Sequence, residues 1–166
     1  MKERVVELVG SSGEKVWVST FHSSCCRILR AEIEVLGWTR RFAIYDDDDQ
    51  LRIMRQIVAD LGYDPKVVKP KALLSRIDHH KNRMADLAGL LEARRLRPGE
   101  PLARAWEAYE AQLRAADAMD FNDLIGKTVE LFQQHPAVLS RWRERFRYVM
   151  VDEYQDTNAG QYELLK

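Results

Sequence analysis

Apolar positions recur at three- and four-residue spacing along most of the chain, and that pattern predicts a mainly helical protein. Val5, Val6, Leu8 and Val9 predict a short helix ending at Gly10 and Gly13. Phe21, Cys25, Ile28, Leu29, Ile33 and Leu36 mark one face of a second helix, stopped by Gly37. Leu51, Ile53, Met54, Ile57, Val58 and Leu61 mark a third, ended by Gly62. Further helices are predicted over about 69–84, 101–116, 120–133 and 136–146. Residues 86–100, with Gly89, Pro98, Gly99 and several arginines, read as a loop with a helical turn at most. Three segments depart from the helical period. Lys15-Val16-Trp17-Val18-Ser19-Thr20 alternates and is β-branched, which predicts a strand. Phe42-Ala43-Ile44-Tyr45 fits either a strand or an extended link. Tyr148-Val149-Met150-Val151 is an unbroken apolar run, which predicts a strand buried on both faces.

Composition narrows the class. The chain has 166 residues, 46% of them hydrophobic, and 26 Lys+Arg balance 26 Asp+Glu. These values exclude collagen, low-complexity disorder and a disulfide scaffold. No apolar run approaches the ~20 residues of a membrane span. The charged opening Met1-Lys2-Glu3-Arg4 also lacks a signal peptide's apolar stretch. Cys25 and Cys26 are adjacent, which predicts reduced thiols, and a cytoplasmic location is expected.

Zero net charge argues at first sight against nucleic acid, but the zero averages unlike blocks. Residues 65–114 hold eleven basic groups against six acidic ones. Residues 46–64 hold six acidic groups against two basic ones. Residues 149–166 hold four acidic groups against one basic one. A basic centre is thus flanked by acidic stretches, a pattern also found on ordinary solvated helix faces.

Three clusters invite a chemical reading. Asp46-Asp47-Asp48-Asp49 leads straight into a helix, where carboxylates cap free N–H groups and complement the helix dipole. The run lacks the alternating ligands and turn glycine of a calcium loop. His79 and His80, as helix neighbours, point about 100° apart and do not converge on one metal. Asp152-Glu153, directly after the apolar run, is more specific. Ligands bind at the carboxyl ends of strands in open α/β sheets. There, one carboxylate can hold Mg²⁺ on a nucleotide's phosphates and the next can deprotonate water. Capping of the following helix explains the same two residues.

The longer string Val151-Asp152-Glu153-Tyr154-Gln155-Asp156-Thr157-Asn158, with Gln161-Tyr162-Glu163-Leu164-Leu165-Lys166, resembles motif II (the Walker B region) of the UvrD/Rep/PcrA group of superfamily 1 DNA helicases. Other strings agree in order. Met1-Lys2-Glu3-Arg4-Val5 is similar to the end of the helix after motif Ia, and Ser19-Thr20-Phe21-His22-Ser23 to motif Ib. Phe42-Ala43-Ile44-Tyr45-Asp46, Asp49-Gln50-Leu51 and Met119-Asp120-Phe121-Asn122-Asp123-Leu124-Ile125 also fit the family's pattern.

The resemblance implies an ATP-dependent 3'-5' DNA helicase that moves along single-stranded DNA and opens a fork. The implied fold is mainly α with a minor α/β part: a helical insertion subdomain (24–140) between partial RecA-like (P-loop NTPase) parallel-sheet segments (1–23 and 141–166). It implies that Asp152 holds Mg²⁺ on ATP and that Glu153 is the general base. Gln155 and Asp156 would link the nucleotide site to neighbouring motifs. Thr20, Phe21 and His22 would lie on the single-strand track. Lys66, Lys69, Lys71, Arg76, Lys81 and Arg83 would meet duplex phosphates.

No G-x-x-x-x-G-K-[ST] string occurs among the 166 residues. In the family that loop precedes the region of Met1, and motifs III to VI follow that of Lys166. The chain alone is therefore expected to be inactive as an ATPase and helicase. Unpaired strand edges at 16–20 and 148–151 are expected to favour self-association. Two other readings stay open at this level: a non-catalytic DNA-binding or interaction module, and the helicase half of a RecB/AddA-like helicase–nuclease.

Overall fold

A computed structural model describes residues 2–166, and its helices start where the sequence supplies caps. After α1 (Lys2–Val9) and a 3-10 turn, Thr20 caps α2 (Phe21–Glu32) by accepting the Ser23 N–H at 3.2 Å. Asp46 caps α3 (Asp47–Asp60) by accepting the N–H groups of Asp48 and Asp49 at 3.0 and 2.9 Å. The aspartate run therefore serves the helix start, as expected. Proline opens α4 (Pro70–Lys81), α6 (Pro101–Ala115) and α8 (Pro136–Arg145), where its missing N–H costs nothing. Reciprocal capping boxes, Asp120 with Asp123 and Asn158 with Gln161, open α7 (Phe121–Gln134) and α9 (Ala159–Leu165). The loop expected over 86–100 contains a short helix, α5 (Leu87–Glu92), capped by Asp86. Gly37 and Gly62 end their helices with φ of 74° and 73°, a region that favours glycine.

The fold is mainly α with a small two-stranded parallel sheet, and that sheet is not where two of the expected strands lay. β1 (Ala43–Ile44) pairs with β2 (Ala118–Met119) in the register Ala43↔Ala118 and Ile44↔Met119. Residues 16–20 are not a strand. The Val16 N–H turns back to the Gly13 carbonyl at 3.2 Å, and the Trp17 indole N–H lies 3.0 Å from both the Ser19 and Ser24 hydroxyls. Residues 148–151 are not a buried strand either, since Tyr148 and Met150 are 95% and 96% exposed. The cause is the same for both: a strand needs a neighbouring backbone, and no described strand lies beside either segment. What is exposed at 148–150 is a run of apolar side chains rather than a strand edge.

Two apolar clusters build the interior. Met54 and Ile57 of α3, Leu73 and Ile77 of α4, Leu90 of α5, and Trp106 and Tyr109 of α6 form the first. Leu29 of α2, Phe42, Leu124 and Leu131 of α7, and Trp142 of α8 anchor the second. β2 serves both, because its successive side chains point to opposite faces: Ala118 belongs to the first cluster and Met119 to the second. Cys25 is buried, Cys26 is half-buried and both are free thiols; burial pushes the Cys25 thiol up to about 11. No described helix is long and apolar enough to cross a membrane.

Candidate functional site

Asp152 and Glu153 sit in an exposed turn between α8 and α9. Asp152 Oδ1 accepts the Glu153 N–H at 3.0 Å, which leaves its second oxygen uncommitted. Glu153 adopts a left-handed backbone (φ 51°), uncommon for a residue with a side chain, and accepts a hydrogen bond from the Gln155 amide. A 3-10 turn (Tyr154–Asp156) follows, closed by the Thr157 hydroxyl donating to the Tyr154 carbonyl at 2.9 Å. The donor set fits Mg²⁺ in kind, because hard carboxylate oxygens suit this ion, which takes one or two of them and completes its shell with water and phosphate. Among the described residues no third His, Cys, Asp or Glu gathers with them.

The residues expected on the DNA track fall at the start of α2. The Thr20 hydroxyl is engaged as the cap and also donates to Ser23 Oγ at 3.1 Å. Phe21 and His22 are half-buried. The His22 ring stands edge-on to Phe121 at 6.0 Å, and burial pushes its pKa below the ordinary value. The string around Thr20 and the one around Asp120 are therefore neighbours in space, which their separation in sequence did not reveal. Met1, which opens another of the matching strings, lies outside the described residues.

Lys66, Lys69, Lys71, Arg76 and Arg83 are exposed along α4 and its flanks. Lys81 is a correction. Its ammonium is turned inward, 2.7 Å from Asp120 Oδ2, 2.8 Å from Asp123 Oδ1 and 2.7 Å from Glu110 Oε1. Its side chain is only 10% exposed. All its charge is spent on these partners, so it has none to offer a phosphate. Tyr109 completes the cluster by donating to Asp120 Oδ2 at 3.2 Å. A signal for this was present in the sequence: Leu73, Ile77 and Lys81 are spaced four apart, which puts the lysine on the buried face of α4.

Desolvation disfavours the Lys81 cation, but the carboxylates of Asp123, Asp120 and Glu110 outweigh it and hold its pKa well above the usual lysine value. For Asp123 burial wins over Lys81, and its carboxyl is pushed up to about 7. An unfolded aspartate titrates near ~4. The contribution of Asp123 to stability is therefore fully present below that value and is lost as pH rises through about 7. Asp123→Asn is expected to flatten the fall in urea midpoint between pH 5 and pH 8; an unchanged slope would assign that titration to another group.

The cluster forms part of the wall of an open groove of about 890 Å³ between the end of α4, α5, α6 and α7. Asp152 and Glu153 do not line it. His80 stacks on Trp106 at 5.7 Å, and the His79 ring stands edge-on to His80 at 5.7 Å.

The chain is mainly helical, with an exposed Asp-Glu turn ahead of α9 and a row of exposed cations on α4 and its flanks. Across residues 1–166 the chain matches the family described as UvrD/REP helicase N-terminal domain, and it belongs to that family. It is 46% identical over 175 residues to ATP-dependent DNA helicase UvrD1 of Mycobacterium tuberculosis, a match covering 100% of this chain and 22% of that protein. UvrD1 of Mycobacterium leprae is 42% identical over 172 residues, covering 100% and 22% respectively. PcrA of Staphylococcus aureus is 39% identical over 166 residues, covering 100% and 23%. The chain thus spans about a fifth of the length of these relatives.

Proposed function

We propose that this chain is the section of an ATP-dependent 3'-5' DNA helicase that carries its hydrolytic carboxylates and its helical insertion subdomain. Membership in the UvrD/REP family across the whole chain is the observation that carries the reading. In it, residues 24–140 form the helical subdomain, and 1–23 and 141–166 belong to a RecA-like domain. The uncommitted oxygen of Asp152 would hold Mg²⁺ on ATP. When bound, the ion neutralises charge on the β- and γ-phosphates. Glu153 would take the proton of the attacking water, an exposed carboxylate held in register by the Gln155 amide. Gln155 and Asp156 lie in the turn that joins this pair to α9 and would carry its position to neighbouring motifs.

Single-stranded DNA would run past Thr20, Phe21 and His22, and forked duplex past the exposed face of α4. With Lys81 withdrawn, the duplex contacts fall to Lys66, Lys69, Lys71, Arg76 and Arg83. The chain alone, without a phosphate loop, would neither hydrolyse ATP nor unwind DNA. Self-association through the uncovered Tyr148–Met150 run, a cytoplasmic location and a role in repair or replication belong to the same reading.

The experiment is unwinding of a forked duplex with a 3' single-stranded tail by a full-length helicase carrying this sequence. ATP-dependent strand separation supports the reading, and opening only from a 5' tail contradicts its polarity. In the same protein, reversing Lys69 and Lys71 to glutamate is expected to weaken duplex binding and lower the salt slope by about 2. An unchanged slope would remove α4 from the DNA contact.

A further inference from the structure

The side chain of Asn158 is committed at both ends. Its Oδ1 accepts the Gln161 N–H at 2.9 Å and so caps α9, while its Nδ2 donates to Asn82 Oδ1 at 3.0 Å. Asn82 is fixed in turn, because its own Nδ2 donates to the Asp78 carbonyl at 2.9 Å. A flipped amide on either residue would set N–H against N–H, so the two orientations support each other. Asn82 is the residue after Lys81 and ends α4. Two residues further, Met84 lies against α9. A Cβ added at Gly160 would fall 3.0 Å from Met84 Sδ and 2.7 Å from Ile125 Cγ2 of α7. The start of α9 is therefore laid directly on the end of α4 and on α7. Asp152 and Glu153 reach α9 through only the single turn Tyr154–Asp156. The carboxylate pair cannot shift relative to the basic helix without straining the Asn82–Asn158 link or bending that turn.

We propose that Asn82 and Asn158 are positioning residues, a joint through which the Asp152–Glu153 segment is registered on the helical part and movement at one is passed to the other. The idea rests on the reading of Asp152 and Glu153 as nucleotide carboxylates. Asn82 is exposed, so replacing it leaves the apolar cores intact. Asn82→Asp keeps an oxygen to accept from Asn158 but gives up the donor to the Asp78 carbonyl, whereas Asn82→Leu keeps neither.

In the full-length helicase, Asn82→Leu is expected to leave DNA-stimulated ATP hydrolysis within about twofold. Base pairs opened per ATP should fall about fivefold, the scale of one lost neutral hydrogen bond. Asn82→Asp, which keeps the acceptor for Asn158, should recover part of the yield, which a merely structural role would not require. In the 166-residue chain itself, hydrogen exchange of the α9 amides should rise about fivefold in Asn82→Leu and by less in Asn82→Asp. A wild-type yield in the leucine variant, or an aspartate variant as poor as leucine, would overturn the joint. Unchanged exchange in α9 would overturn it independently of any activity. A wild-type protein without DNA-dependent ATP hydrolysis would instead sink the functional reading, while the exchange experiment still decides the contact.

Discussion

Lys81→Met is expected to destabilise the folded chain by about 3–5 kcal/mol, read as a lower urea midpoint at pH 7. Methionine keeps most of the length and apolar stem of lysine, so little packing is lost. What goes is the cation that lies within 2.8 Å of Asp120, Asp123 and Glu110. Asp120 and Asp123 are 2% and 11% exposed at the side chain, so water cannot replace the missing charge. Without the cation the two carboxyls cannot both stay charged at the start of α7, and Asp123 must take up a proton while still serving in the capping box. The loss should shrink as pH falls and the carboxylates take up protons, and Asp123→Asn added to Lys81→Met should recover part of it. A fully solvated Lys81 engaged only with DNA would give a change within about 0.5 kcal/mol in the same measurement.

Glu153→Gln in a full-length helicase carrying this sequence is expected to slow ATP hydrolysis by about 10²–10⁴-fold while nucleotide binding persists. Glutamine is nearly isosteric and retains an oxygen for the Gln155 amide, so the left-handed turn is preserved. It cannot take a proton from water. Asp152→Asn should behave differently, weakening Mg²⁺-dependent nucleotide binding, because that residue would supply a charged oxygen to the ion. Binding of a fluorescent ATP analogue, measured beside turnover, separates the two roles. Equal loss of binding in both variants would indicate that the turn had collapsed rather than that two distinct functions had been removed.

Much of the helical framework was legible because its signals are local. The face of α2, the stop of α3 at Gly62, the aspartate cap of α3 and the apolar stripes of α6, α7 and α8 depend on spacing within a few residues. By contrast, α2 gives way at Ile33 to a 3-10 turn that Gly37 ends. Strand partners are not local. Residues 16–20 and 148–151 have strand-like side chains but no neighbouring backbone, whereas Ala43–Ile44 finds its partner 75 positions away at Ala118–Met119. The direction of a lysine is equally non-local. Lys81 lies in the most basic stretch of the chain, which reads as a DNA face. Its place four residues after Ile77, and the two buried aspartates opening α7, decide otherwise. The meeting of His22 with Phe121, and of Asn82 with Asn158, also required the folded chain.

The most direct measurement is steady-state ATP hydrolysis by a full-length helicase carrying this sequence, with and without single-stranded DNA, alongside its Glu153→Gln variant. The predicted result is a wild-type rate that rises on adding the strand and a variant that stays near background in both conditions. A rate indifferent to DNA, or a variant that turns over like the wild type, would contradict the assignment of Asp152 and Glu153 to a DNA-coupled ATPase.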